Sequence, residues 1–128
     1  MFNANRLVIR EVLMLDNPEK TRELVNTLQA ALPFEVALMP NLIDHLARQQ
    51  KSVIVKPVET VSGVSYLGDM GGISCHIQPA DSDSAVIVSL THVRVPRDVP
   101  FAKAVLDYQK HRVKKLKKQR YNWLAEPN

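Results

Sequence analysis

The chain has one cysteine and no long apolar run, and each shortage excludes a class of protein. Its single cysteine, Cys75, excludes an internal disulfide and a zinc site built from several cysteines. No uncharged apolar run approaches the roughly 18 residues that cross a bilayer, and Met1–Arg6 lacks the basic start of a secretion signal. We therefore expect a cytoplasmic protein without a transmembrane segment.

Length and composition indicate one folded domain. The chain has 128 residues, of which 45% are hydrophobic and 23% are charged, as in ordinary globular proteins. It contains no internal repeat, low-complexity tract or interdomain linker. We predict a single α+β domain over residues 1–109, which includes the root of a C-terminal helix, followed by a basic helix tip and tail over residues 110–128.

The positive charge is confined to the end of the chain. Residues 1–99 hold nine Lys or Arg and eleven Asp or Glu, whereas residues 100–128 hold eight and two. The net charge of +4 therefore combines a mildly acidic body with a strongly basic C-terminal segment.

Two helices are predicted in the first half of the chain. Asn17 suits an N-cap and Pro18 the first helical turn, and this helix should end near Leu32. Pro40 begins a second helix, which ends around residues 49–52. The apolar run Leu7–Leu15 fits either a helix or a buried strand, and we narrowly favour the strand.

Four runs rich in β-branched residues follow, with short turn-rich connections that favour antiparallel pairing over βαβ crossovers. They are Ser52–Val58, Ser62–Leu67, Gly72–Ile77 and Ala85–Val95. The predicted fold is a two-layer α+β domain with an antiparallel meander of about four strands, two N-terminal helices and a long C-terminal helix.

Cys75, His76 and His92 invite a metal or Cys–His hypothesis, which strand geometry tests. Adjacent strand residues point to opposite faces, so Cys75 and His76 cannot share a metal in a regular strand. If Ile77 pairs with Val86, Cys75 joins an apolar face and is a buried small hydrophobe. A pair between Cys75 and His92 stays conceivable, but no metal site is predicted.

The glycine-rich stretch Gly68–Gly72 could approach a phosphate through its backbone. However, it lacks the Lys-Ser/Thr of a P-loop and does not open onto a helix, so a turn that needs positive φ explains the glycines better. Asp69 lies in this turn. One alternative function is a small enzyme whose site lies near Asp69, His76 or His92, although catalytic residues and a substrate remain unknown.

The basic segment Lys110–Arg120 is the strongest signal, since seven of its eleven residues are Lys or Arg and none is acidic. The preceding residues, including Phe101, Val105 and Leu106, follow a core-facing helical pattern. We therefore expect one helix with a structural root and a basic tip. The tip either serves solubility, as a solvated face, or binds a polyanion.

Function is predicted from this tip. We expect a small non-catalytic protein that contacts the backbone of RNA or DNA without reading bases and needs no cofactor. The nucleic-acid-binding residues would be Lys110, Arg112, Lys114, Lys115, Lys117, Lys118, Arg120, Tyr121 and Trp123. The alternative is a protein–protein interaction module or homo-oligomer, in which the same helix docks on an acidic partner or a second copy.

Overall fold

A computed structural model of the chain describes residues 16–49, 54–80 and 85–125, with side chains up to residue 118. Within these residues it has an α+β architecture of four α-helices, one 3₁₀ helix and a five-stranded antiparallel sheet. This confirms the predicted fold class. The run Leu7–Leu15 lies outside the described residues.

The predicted first helix is confirmed as α1, Pro18–Ala31. The side chain of Asn17 accepts a hydrogen bond of 3.0 Å from the Lys20 amide, which satisfies one of the open donors at the helix start. Leu24 and Leu28 are buried one turn apart. Strand β1, Phe34–Leu38, follows, in a segment for which no element was predicted. The second predicted helix is α2, Pro40–Gln49.

Strand β2, Val58–Tyr66, replaces the first two predicted strand runs. Residues 54–57 form no strand, and the predicted turn at residues 59–63 lies inside β2 instead. Ser62 and Gly63 looked like turn residues, but they form a bulge at which the register with the next strand shifts. Gly63 packs close to His76, since a Cβ built on it would lie 3.2 Å from the Nδ1 atom.

The one-turn helix α3, Gly68–Gly71, leads into β3, Ile73–Ile77. Gly68 and Gly72 have φ of 71° and 63°, so the prediction of a turn with positive φ is confirmed. Strand β4, Val86–Ser89, pairs with β3 in the predicted register, with Ile77 opposite Val86 and Cys75 opposite Val88.

The predicted long strand over Ala85–Val95 is interrupted. Ser89 caps a 3₁₀ helix, Leu90–His92, by accepting a 3.2 Å hydrogen bond from the Thr91 amide. Strand β5, Val93–Arg94, then pairs with β1 on the far side of the sheet, whose order is β4-β3-β2-β1-β5.

This connection requires a curled sheet. Four strand spacings would separate β4 from β5 by about 19 Å in a flat sheet. The four Cα steps from Ser89 to Val93 reach at most about 14 Å, so the two edges must approach each other. The curled sheet and its helices enclose a core that includes Leu28, Val61 and Leu90, all fully buried. The last helix, α4, runs over Ala102–Ala125.

Candidate functional site

Helix α4 contacts the rest of the domain along one side. Phe101, just before the helix, and Val105, Tyr108 and Arg112 within it are buried. Their spacings of four, three and four residues place them on one helical face. The sequence predicted a core-facing root that ends near Gln109. The structural root therefore extends one turn further, into the basic segment.

Arg112 is the innermost charge of that root and is only 3% exposed. Its Nη1 atom donates to Asp16 Oδ2 at 2.9 Å, and its Nη2 atom donates to the carbonyl oxygen of Asp69 at 2.7 Å. The Tyr66 hydroxyl donates to the same Asp16 oxygen at 3.0 Å. Arg112 was predicted to bind nucleic acid, but its guanidinium is occupied inside the protein, and we remove it from the proposed interface.

Tyr108 belongs to the same buried cluster. Its hydroxyl oxygen accepts a 2.9 Å hydrogen bond from the Ile73 amide, and it is also hydrogen-bonded to Arg112. Burial raises the pKa of this phenol, against the opposing effect of these hydrogen bonds. Gly72 leaves the room for this arrangement, since a Cβ there would collide with the Tyr108 hydroxyl and lie 2.7 Å from Arg112 Nε. These contacts fix the orientation of α4.

A groove of about 940 Å³ runs along a different side of α4, between the helix and the segment at and after β5. We call it the basic groove. Two arginines lie on the β5 side, Arg94 and Arg97, and the lysines of α4 lie on the other. Those lysines are Lys103, Lys110, Lys114 and Lys117.

The basic groove has an apolar strip among these charges. Leu106 and Val113, two helical turns apart, line it and are 48% and 40% exposed. Leu106 was predicted to face the core, and the structure corrects this, because Val105 and Tyr108 take the inward positions. Leu106 and Val113 therefore place apolar surface beside the cations of the groove.

Gln109 joins the two walls of the basic groove. Its side-chain amide donates to the carbonyl oxygens of Leu90 and Val93, each at 2.7 Å. These bonds tie the first half of α4 to the 3₁₀ helix and to the start of β5. The distance between the lysine wall and the arginine wall is therefore set by the fold.

The charge that lines the basic groove is of one sign. All its charged lining residues are cations, and only Lys103 has a described ion pair, at 3.1 Å from Asp107 on an exposed surface. A second cleft of about 620 Å³, between α1 and α4, has mixed lining charges that include Lys20, Glu23 and Asp107. A concave surface with cations alone concentrates positive potential and attracts anions.

The predicted interface residues thus fall into separate groups. Lys110, Lys114 and Lys117 line the basic groove. Lys115 is half-buried and Lys118 is exposed, and neither lines it. The side chains of three further predicted residues lie outside the described residues. These are Arg120, Tyr121 and Trp123.

The residues of the enzyme hypothesis lie on separate elements. His76 hydrogen-bonds Ser65 through Nε2 at 2.9 Å on the sheet, Asp69 is in α3, and the exposed His92 ends the 3₁₀ helix. None of the three lines either of the two clefts described above. Cys75 is fully buried, as predicted, and burial raises its pKa to about 12. Within the described residues, no group of three His, Cys, Asp or Glu side chains could hold a metal ion.

Sequence reasoning missed Arg94 and Arg97. They precede the basic segment and stand in an otherwise mildly acidic part of the chain, so neither composition nor spacing marked them. Their position depends on the run Ala85–Val95, which we predicted as one continuous strand. In the structure the strand ends at Ser89 instead. Once the chain turns there, β5 and the residues after it lie beside α4.

Comparisons with known protein families, with curated proteins and with solved structures find no match to this chain. Among the described residues, no helix combines the length and the hydropathy needed to span a bilayer. Any functional inference therefore depends on the geometry and charge of the surfaces described above.

Proposed function

We propose that the protein binds a nucleic acid through the basic groove, by neutralising phosphates with the lysines of α4 and the arginines beside β5. The single observation that carries the proposal is the convergence of six cations, and no acidic side chain, on one concave surface. Phosphate contacts by Lys and Arg supply most of the affinity in sequence-independent binding.

The position of the basic segment in the fold supports nucleic-acid binding over the alternative that the segment is only a solvated face. A solvated charge run needs no second wall, whereas here two arginines from a different part of the chain face three lysines of the segment. Gln109 holds the two walls together. Bringing like charges together costs electrostatic free energy, which a bound polyanion would offset.

Salt dependence of binding tests the proposal. Fluorescence anisotropy with labelled 20-nucleotide RNA and DNA should show binding at low salt, with log K falling linearly against log[salt]. The groove variant K110Q/K114Q/K117Q should bind more weakly, and its slope should be smaller by about 2 if all three lysines contact phosphates. Absence of binding by the unmodified protein at low salt would exclude the function.

A matched control separates the groove from net charge. The variant K20Q/R22Q/R48Q removes the same charge from exposed positions, none of which lines the basic groove. We expect it to keep most of the affinity and the full salt slope. Equal losses in both triple variants would show diffuse attraction to a cationic protein and would contradict a site in the groove.

The interaction module or homo-oligomer stays a prediction. Light scattering on the unmodified protein and on K110Q/K114Q/K117Q distinguishes it from nucleic-acid binding. A multimeric mass that falls in the variant would assign the groove to assembly instead.

A further inference from the structure

We infer that the basic groove takes an unpaired stretch of nucleic acid, with phosphates against its lysines and bases against its apolar strip and arginines, and that it discriminates against a duplex. This inference rests on the proposed function and names the form of nucleic acid that the same site would bind.

The apolar strip of the groove favours a single strand over a duplex. Leu106 and Val113 lie among cations on the groove surface, about half and two-fifths exposed. A duplex stacks its bases inside and presents phosphates outward, so it would leave these two side chains in water. A single strand has accessible base faces, which can cover apolar surface.

The division of lysines and arginines between the two walls also favours a ligand with accessible bases. The α4 wall carries only lysines, whereas the wall beside β5 carries only arginines, Arg94 and Arg97. Lysine acts as a compact point charge, while the planar guanidinium of arginine also stacks on bases. Lysines therefore suit the phosphates along one wall, and the arginines suit unstacked bases along the other.

The length of the groove sets the size of the ligand. The first and last lining lysines, Lys103 and Lys117, are 14 residues apart along α4. At about 1.5 Å per residue the lysine wall spans about 21 Å. That span suits a short site of about 4 nucleotides, at the low end of known single-strand site sizes.

The test compares the affinity of the protein for single strands with its affinity for duplexes. Labelled oligouridine 12-mers and a 12-base-pair RNA duplex are titrated into the full chain by fluorescence anisotropy, with a DNA single strand and duplex of equal length in parallel. We expect the single strands to bind at least tenfold more tightly than the duplexes at the same salt concentration.

Two variants examine the bases separately from the phosphates. L106S/V113S should weaken single-strand binding about fivefold or more, because contacts to base faces are lost. R97K should weaken it to a smaller degree. Neither should change the salt slope, since no charge is removed. L116S is the matched control, because Leu116 is 39% exposed on the same helix and does not line the groove.

The outcomes separate the two proposals. Equal affinity for duplex and single strand, together with an unchanged affinity of L106S/V113S, would overturn this inference. The proposed function would survive that result if K110Q/K114Q/K117Q still lost affinity and salt slope. No binding of any strand at low salt would overturn both.

Discussion

The two sides of α4 carry the same kind of charge but use it differently. Arg112, on the side facing the domain, is 3% exposed and is paired with Asp16. Lys110, Lys114 and Lys117, within five residues of it, line the basic groove. A run of basic residues can therefore combine a structural cation with cations that line a surface groove. Only their environments distinguish them.

Removal of Arg112 should produce the largest effect. R112A leaves the buried Asp16 carboxylate without its cation, which should lower the free energy of unfolding by about 3 to 5 kcal/mol. K114A should change it by less than about 0.5 kcal/mol, because surface substitutions outside packed features rarely do more. Urea unfolding followed by circular dichroism measures both.

A second substitution tests the cause of that loss. D16N/R112M leaves no unpaired charge, so it should be more stable than R112M alone. If R112A and K114A are equally stable, the buried pair does not anchor α4, and the distinction between the two sides fails.

Gly72 should show the next largest effect. G72A adds a Cβ at positive φ against Tyr108 and Arg112, and we expect a loss of at least about 2 kcal/mol in the free energy of unfolding. G68A is the matched control, because Gly68 also has positive φ but has open space around its Cβ position. It should lose only about 1 kcal/mol. Equal losses in urea unfolding would mean that contact with the buried cluster adds nothing.

Alkaline pH should lower the free energy of unfolding through the buried thiol of Cys75. Burial raises the pKa of Cys75 from 9.0 to about 12, so between these values the unfolded chain loses a proton that the folded chain keeps. The thiol's contribution to stability is therefore fully present below pH 9 and is lost as pH rises toward 12. For this one thiol, the free energy of unfolding falls by at most about 1.4 kcal/mol per pH unit. C75A should flatten the decline measured by urea unfolding from pH 8 to 11, whereas parallel declines would contradict a buried neutral thiol.

The smallest effect should have the opposite sign. Lys110, Lys114 and Lys118 are four residues apart and repel one another on the helix surface. K114Q should therefore raise the free energy of unfolding by about 0.3 to 0.5 kcal/mol at low salt, and the gain should shrink in 1 M NaCl. A loss of stability in K114Q that is insensitive to salt would place Lys114 among the structural residues, beside Arg112.

Features that depend on neighbours in the sequence were predictable. Asn17 and Pro18 predicted the start of α1 because capping is a local interaction. The pairing of Ile77 with Val86 followed from alternation across one connection. The alternating Phe34, Val36 and Leu38 also held the signal of β1, although we made no prediction for that segment. Turn residues were misleading at Ser62 and Gly63, since a bulge uses the same residue types as a turn.

The candidate site was less predictable because it joins distant parts of the chain. The sequence marked three groove lysines, Lys110, Lys114 and Lys117, by their density alone. It did not mark Arg94 and Arg97, whose approach to α4 depends on the break after Ser89 and on the curl of the sheet. Both depend on pairings between strands that are far apart in the chain.

The sequence by itself determined the long helices α1, α2 and α4, the register of one hairpin and the concentration of positive charge at the C-terminal end. Tertiary structure decided what that charge does. Arg112 is buried because Asp16, 96 residues earlier, meets it in the folded domain. Lys110, Lys114 and Lys117 stay exposed, and no carboxylate of the described residues forms an ion pair with them. The role of a charged side chain depends on the partners that folding places beside it. Sequence patterns report only on residues a few positions apart, so they do not reveal such partners.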